Sequence, residues 1–79
     1  MSHPPDERLD LSGVPCPQNT ARALMALALL DEGEVLEVLL DDGEPMENVP
    51  PALELEGHSI AARERTATGW RLTILRGEE

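Results

Sequence analysis

The sequence has no lysine, phenylalanine or tyrosine and only one tryptophan. Six arginines stand against 16 acidic residues, which gives a formal net charge of −10. Such a surface repels phosphate backbones, and the chain lacks the aromatic rings on which single-stranded bases stack. These absences exclude direct nucleic-acid binding and favour basic protein partners.

Cysteine is nearly absent too, because Cys16 is the only one. One cysteine cannot form an intramolecular disulfide, and secreted domains of this size are usually stapled by several. No apolar run approaches the roughly 20 residues that span a bilayer, and no signal peptide is recognisable. The sequence therefore predicts a cytoplasmic protein that does not enter membranes.

With 79 residues the chain is long enough for one small domain and too short for a deep pocket. Residues 1–7 are predicted to be a flexible tail and residues 8–77 the domain. Any chemistry is therefore expected at the surface, near one or two elements.

Hydrophobic patterns predict the order β-α-β-α-β-β. Strands are expected at 8–11, 34–40, 58–66 and 70–76, where polar and apolar residues alternate, with a short hairpin connection at 67–69. This order favours an α/β two-layer sandwich with a mixed four-stranded sheet and both helices on one face.

Proline and glycine set the predicted helix boundaries. Pro17 suits the first helical position of a helix that reaches Leu30, with Gly33 as its left-handed cap. The expected core stripe of that helix is Thr20, Ala23, Leu24, Leu27 and Leu30. The second helix is expected to be capped by Asn48, to hold residues 50–51 in its first turn and to end at Gly57.

Cys16 lies where the loop after the first strand enters the first helix. Backbone N–H groups and the positive end of the helix dipole favour an anion there, which raises the thiolate fraction. A thiolate can attack a sulfur donor, although a lone cysteine in a small domain is more often a buried apolar residue.

The segment around this cysteine resembles a known signature. Residues 9–17 (LDLSGVPCP) are similar to the L-D-x-x-G-x-x-C-P pattern of the TusA/SirA sulfur-carrier family. The resemblance continues through the glycine before the second strand, the acidic pair Asp41-Asp42 and the terminal hairpin, and covers nearly all of residues 8–77.

The resemblance implies a sulfurtransferase-type carrier that takes up sulfur as a persulfide on Cys16, without metal or organic cofactor. It also implies a sulfur donor, either a cysteine desulfurase or a rhodanese-like protein, and an acceptor of the DsrEFH type. The pathways implied are tRNA thiolation, molybdenum-cofactor assembly or sulfur oxidation. We expect the carrier to be a monomer.

The chain departs from the family's C-P-x-P motif, because Asn19 stands where the second proline is usual. Gly13, Pro17 and Asn19 are expected to support the start of the helix, and the Asn19 amide is a candidate contact for the cysteine.

Arg22 is the one basic residue of the predicted first helix. Candidates for partner binding on this helix are Arg22, Met25 and Leu29, with Ala26 beside them on the face turned away from the core.

A different class of function is also compatible with this pattern. A non-catalytic interaction or regulatory module could retain the scaffold with a degraded motif and bind through its acidic surface and the Met25/Leu29 strip.

Asp41 and Asp42 could act as paired carboxylates in acid–base chemistry, although ending a strand and capping a turn is the more common role of such a pair. His58 has no metal-ligand spacing around it.

Overall fold

Six elements follow one another in the predicted order in a computed structural model that describes residues 4–77. Their bounds are β1 Glu7–Asp10, α1 Gln18–Ala28, β2 Val35–Asp41, α2 Glu44–Leu55, β3 Ser59–Arg65 and β4 Gly69–Leu75. Glu7, assigned to the tail from the sequence, is the first residue of β1, and residues 1–3 of that predicted tail lie outside the described part. No helix between residues 4 and 77 has the length and apolarity to cross a bilayer.

The four strands form one mixed sheet in the order β1-β2-β4-β3. β1 runs parallel to β2, with Leu9 opposite Val38. β4 is antiparallel to both β2 and β3, and the β3–β4 register shifts between Ile60 and Ala62. The prediction of a mixed four-stranded sheet is confirmed.

The core lies between one face of this sheet and both helices. Alternate residues of β2 and β4 are buried together with residues from the inner faces of α1 and α2. Burying a leucine-sized side chain contributes about 1.5–3 kcal/mol, so this apolar layer holds the two layers together. Its fully buried members are Leu11, Ala23, Leu27, Leu36, Val38, Leu40, Val49, Leu53, Leu72 and Ile74.

The opposite face of the sheet carries a row of ion pairs across all four strands. Glu37 of β2 lies 3.0 Å from Arg8 of β1 and 3.5 Å from Arg71 of β4. Arg71 also pairs with Glu64 of β3 at 3.2 Å. Partly exposed ion pairs of this kind contribute little stability, so this face adds less to the fold than the apolar core does.

The first helix is shorter than predicted. Pro17 is the N-cap rather than the first helical residue, and α1 ends at Ala28. Gly33, expected to cap α1, instead has φ of +82° in the turn that enters β2. The chain leaves the helix early because the N–H groups of Leu29 and Leu30 bond three residues back, to Ala26 and Leu27.

The second helix begins four residues before its predicted cap, so the assignment of Asn48 as a cap is wrong. Its N-cap is Gly43, and Pro45 occupies the first turn, where a missing N–H costs nothing. Glu44 and Glu47 add negative charge near the positive end of the helix dipole. Pro50 and Pro51 therefore lie inside the helix rather than in its first turn.

Gly57 closes α2 as predicted. Its φ is +95°, and its N–H bonds to the carbonyl of Glu54, while the N–H of His58 bonds to that of Leu53. These two bonds form a Schellman motif, which satisfies carbonyls at the end of the helix.

The β3–β4 connection spans residues 66–68, one residue earlier than predicted. Gly69 already belongs to β4, where a Cβ atom would lie 2.1 Å from the carbonyl oxygen of Leu40. Only glycine permits this close approach of β4 to β2, the strand that contains Leu40.

Candidate functional site

The loop from β1 to α1 is held by two carboxylates. Asp10 accepts a hydrogen bond from the Ser12 N–H at 2.9 Å, which lowers the pKa of Asp10. The Gly13 N–H donates to Asp41 at the end of β2, at 2.7 Å. Gly13 has φ of +78°, a conformation that a side chain would strain. These contacts fix the path of the chain toward Cys16.

Cys16 is a free, half-buried cysteine two residues before α1. It lines an open cleft of about 440 Å³ together with the rest of the 13–16 loop. The other walls come from the end of β2 and the start of α2, which supply Asp41, Asp42, Glu44 and Pro45. The sulfur therefore lies at the surface, within reach of another protein or a small molecule.

The two aspartates of this cleft have structural bonds. Asp42 accepts hydrogen bonds from the Trp70 indole at 2.9 Å and the Gly43 N–H at 3.0 Å, and pairs with Arg65 at 3.0 Å. The indole bond, then the backbone bond and the Arg65 charge lower the pKa of Asp42. Arg65 also lies 5.2 Å from the centre of the Trp70 ring. Two carboxylates anchored by these bonds suit turn formation better than proton transfer.

Asn48, expected from the sequence to cap the second helix, instead contacts the cysteine. Its side-chain amide donates to the Cys16 sulfur, with Nδ2 3.8 Å from Sγ, although 32 residues separate the two. With Asn48 assigned as a helix cap, its side chain was expected to bond to the backbone of its own helix and not to the cysteine. The expected contact from Asn19 is not formed, so the amide near the sulfur comes from the other helix.

Asn19 points into the core instead of toward the cysteine. It is fully buried, and its Oδ1 accepts from the Thr20 N–H at 2.7 Å. Its Nδ2 has no hydrogen-bond partner within residues 4–77. The inner face of α1 thus runs through Asn19, Ala23 and Leu27, while Thr20, Leu24 and Leu30 of the predicted stripe are only half-buried.

The candidate partner-binding residues lie along the outer side of α1. Met25 is 69% exposed and Leu29 88%, and Arg22 is exposed as well. Ala26, expected beside them, is half-buried and packs against the core. The exposed strip therefore contains Arg22, Met25 and Leu29 without Ala26.

The structure does not pair Cys16 with His58, the histidine among residues 4–77. His58 accepts a hydrogen bond from the Gly77 N–H at 3.1 Å and lines a separate cleft with Leu24 and Arg76. Residues 4–77 also contain no group of three or more histidine, cysteine or acidic side chains that could hold a metal ion. The chemistry available at the cleft is that of one thiol with an amide donor beside it.

The fold and the site together define a small β-α-β-α-β-β sandwich that presents one thiol at a loop–helix junction. The model of the family "Sulfurtransferase TusA" matches residues 7–76. The chain belongs to the TusA family.

Individual relatives agree with this assignment. The chain is 38% identical over 56 residues to "Putative sulfur carrier protein YedF" of Escherichia coli strain K12, covering 71% of this chain and 73% of that protein. It is 34% identical over 68 residues to "Putative sulfur carrier protein MJ0990" of Methanocaldococcus jannaschii, covering 86% and 91%. The crystal structure of a SirA-like protein from Desulfitobacterium hafniense superposes with a TM-score of 0.76 at 31% identity, covering 91% and 99%.

Proposed function

We propose that this chain is a sulfur carrier that holds sulfane sulfur as a persulfide on Cys16. The observation that supports this most is the placement of its single thiol. Cys16 is half-buried in an open cleft, at a junction that Asp10, Gly13 and Asp41 hold in place. Relatives named as sulfur carriers support the same reading.

The transfer follows thiol–disulfide exchange. The Cys16 thiolate attacks the outer sulfur of a donor persulfide, forms a new S–S bond and leaves the electron pair on the donor's sulfur. An acceptor thiolate then attacks the outer sulfur on Cys16, and the electron pair returns to Sγ. No metal, redox partner or organic cofactor enters either step.

The partners proposed are a cysteine desulfurase or rhodanese-like protein as donor and a DsrEFH-type protein as acceptor. Carboxylates of Asp41, Asp42 and Glu44 surround the cleft, so a partner with basic groups near its own reactive cysteine complements it. The strip formed by Arg22, Met25 and Leu29 runs along α1 from its first half to its C-cap, and its two apolar members supply a further contact surface for a partner.

The proposed carrier acts as a monomer in the cytoplasm, where a lone thiol stays reduced between transfers. Which pathway receives the sulfur, among tRNA thiolation, cofactor assembly and sulfur oxidation, depends on the acceptor. Nucleic acid is not contacted directly, since the net charge of −10 opposes it.

The test is the intact mass of the protein after incubation with a cysteine desulfurase and cysteine, or with thiosulfate and a rhodanese. We expect a gain of one sulfur atom that reductant reverses, and no gain for Cys16→Ser. Both proteins should unfold at the same denaturant concentration, because the half-buried sulfur is not part of the core. A folded protein that gains no sulfur from any donor would contradict the proposal and favour a non-catalytic interaction module.

A further inference from the structure

The contact between Asn48 and Cys16 joins the starts of the two helices. Asn48 is the fifth residue of α2, and its Nδ2 lies 3.8 Å from Cys16 Sγ. The two residues that follow it, Val49 and Pro50, are fully buried against the core. Their burial fixes the rotation of α2 about its axis, so the flank of the helix that carries Asn48 is held beside the sulfur.

We propose that the Asn48 amide is the donor that stabilises negative charge on Cys16 Sγ while the carried sulfur is released. This inference rests on the proposed function. When a nucleophile attacks the outer sulfur, the bond between that sulfur and Sγ breaks and its electron pair moves to Sγ. An N–H group already aimed at Sγ stabilises the charge as it forms, without first having to turn toward it.

The surroundings of the sulfur explain why a neutral donor matters there. Asp41, Asp42 and Glu44 line the same cleft, and like charges there disfavour the negative charge that forms on Sγ during release. Arg65, which lies opposite Trp70 in the β3–β4 register, is paired with Asp42. The Asn48 amide therefore offsets part of this repulsion by a hydrogen bond.

Release and uptake should respond differently to the loss of this bond. In release, Sγ is the leaving group, and a stabilised leaving thiolate departs faster. In uptake, Sγ is the attacking group, and a stabilised thiolate is more abundant but less nucleophilic, so the two effects oppose one another. A role confined to holding the fold would not separate the two steps.

The variants are Asn48→Leu, which keeps a similar volume without the donor, and Asn48→Gln, which keeps the amide. Glu54→Leu, an exposed change on α2 away from the cleft, is the matched control. Each full-length protein is loaded with inorganic polysulfide and freed of excess, and its loading is measured by mass. Cyanide is then added, which attacks the outer sulfur to give thiocyanate and leaves the electron pair on Sγ.

We expect Asn48→Leu to release thiocyanate about fivefold more slowly than the unchanged protein, the effect of one net hydrogen bond. Alkylation of the unloaded thiol by iodoacetamide should change by less than about twofold. Asn48→Gln should recover most of the release rate, and Glu54→Leu should release at the original rate.

Two results would overturn the inference: thiocyanate release by Asn48→Leu at the original rate, or equal slowing of release and alkylation. The second pattern would show a change in exposure of the cysteine rather than loss of a donor. Failure of the unchanged protein to take up any cyanide-reactive sulfur is visible in the mass before cyanide is added. That result would overturn the proposed function itself, and the role of Asn48 with it.

Discussion

The core between the sheet and the helices is held by apolar side chains, whereas the edge around Cys16 is held by hydrogen bonds to carboxylates and an amide. Beneath the helices, residues such as Leu27 and Leu53 are fully buried. At the edge, Gly13 bonds to Asp41 and Asn48 to the cysteine, all in contact with solvent. Stability and chemistry are therefore assigned to different parts of a very small domain.

This difference implies that substitutions in the core should mainly lower the free energy of unfolding and leave the thiol's chemistry intact. Substitutions at the edge should mainly change the thiol's chemistry and lower the free energy of unfolding by no more than about 1 kcal/mol. Asn19 lies where these two regions meet. It follows the cysteine by three residues, yet it is buried in the core, and its amide nitrogen has no partner within residues 4–77.

Leu27→Ala should lower the free energy of unfolding by about 2–5 kcal/mol, since it removes a fully buried side chain and leaves a cavity. Urea titration followed by far-UV circular dichroism measures this. Met25→Ala, on the exposed side of the same helix, is the control and should change stability by no more than about 0.5 kcal/mol. Equal losses for the two variants would show that the assigned core is wrong.

Asp41→Ala should loosen the loop that carries Cys16. It removes the acceptor of the Gly13 N–H, a loss of about 1 kcal/mol, and should change the alkylation rate of the thiol because the loop is no longer tied to β2. Asp31→Ala, an exposed acid before β2, is the control for lost charge. An alkylation rate that responds alike to both variants would contradict an anchoring role for Asp41.

Asn19→Pro, which restores the family motif, should change stability by less than about 1 kcal/mol because two effects oppose one another. The variant loses the bond from the Asn19 N–H to Pro15 and the one from the Thr20 N–H to the Asn19 side chain. It also removes the unpaired buried amide. A gain or loss above about 3 kcal/mol in urea titration would show that one of these effects was misjudged.

The smallest effect is a pH dependence at the edge. The Trp70 indole, the Gly43 N–H and Arg65 hold the pKa of Asp42 below its ordinary value of 3.8. A lowered pKa means that Asp42 stabilises the fold above that value and that its contribution is lost as the pH falls through the lowered pKa. Asp10 acts in the same direction.

Thermal unfolding of Asp42→Asn between neutral pH and about pH 2 measures this contribution. The variant should lose less stability on acidification than the unchanged protein does. Identical acid profiles for Asp42→Asn and the unchanged protein would contradict the assignment of Asp42 as an anchored, ionised acid.

The fold was predictable because its signals are local. Alternation in β2 and β4, the glycine that closes α2 and the spacing of leucines in α1 each reflect neighbouring residues. The place of Cys16 before α1 follows from the same kind of signal. The buried face of α1 was harder to predict, because an alanine- and leucine-rich helix presents several faces of similar hydrophobicity.

The parts that the sequence did not reveal depend on contacts between distant residues. The start of α2 was misplaced because Pro50 and Pro51 suggest a first turn, while burial of Val49 and Pro50 holds them inside the helix. The approach of Asn48 to Cys16 joins residues 32 positions apart, and no periodicity encodes it. The burial of Asn19 likewise runs against the ordinary preference of asparagine for the surface.

The most direct test of sulfur carriage follows one labelled sulfur atom through the protein. Radiolabelled sulfur is loaded from cysteine by a desulfurase, the donor is removed, and an acceptor protein of the DsrEFH type is added. We expect the label to leave Cys16 and to appear on the acceptor's cysteine, with no label carried by Cys16→Ser. Label that never enters the protein, or that stays on it while acceptors of this type and other thiols remain unlabelled, would contradict a carrier function.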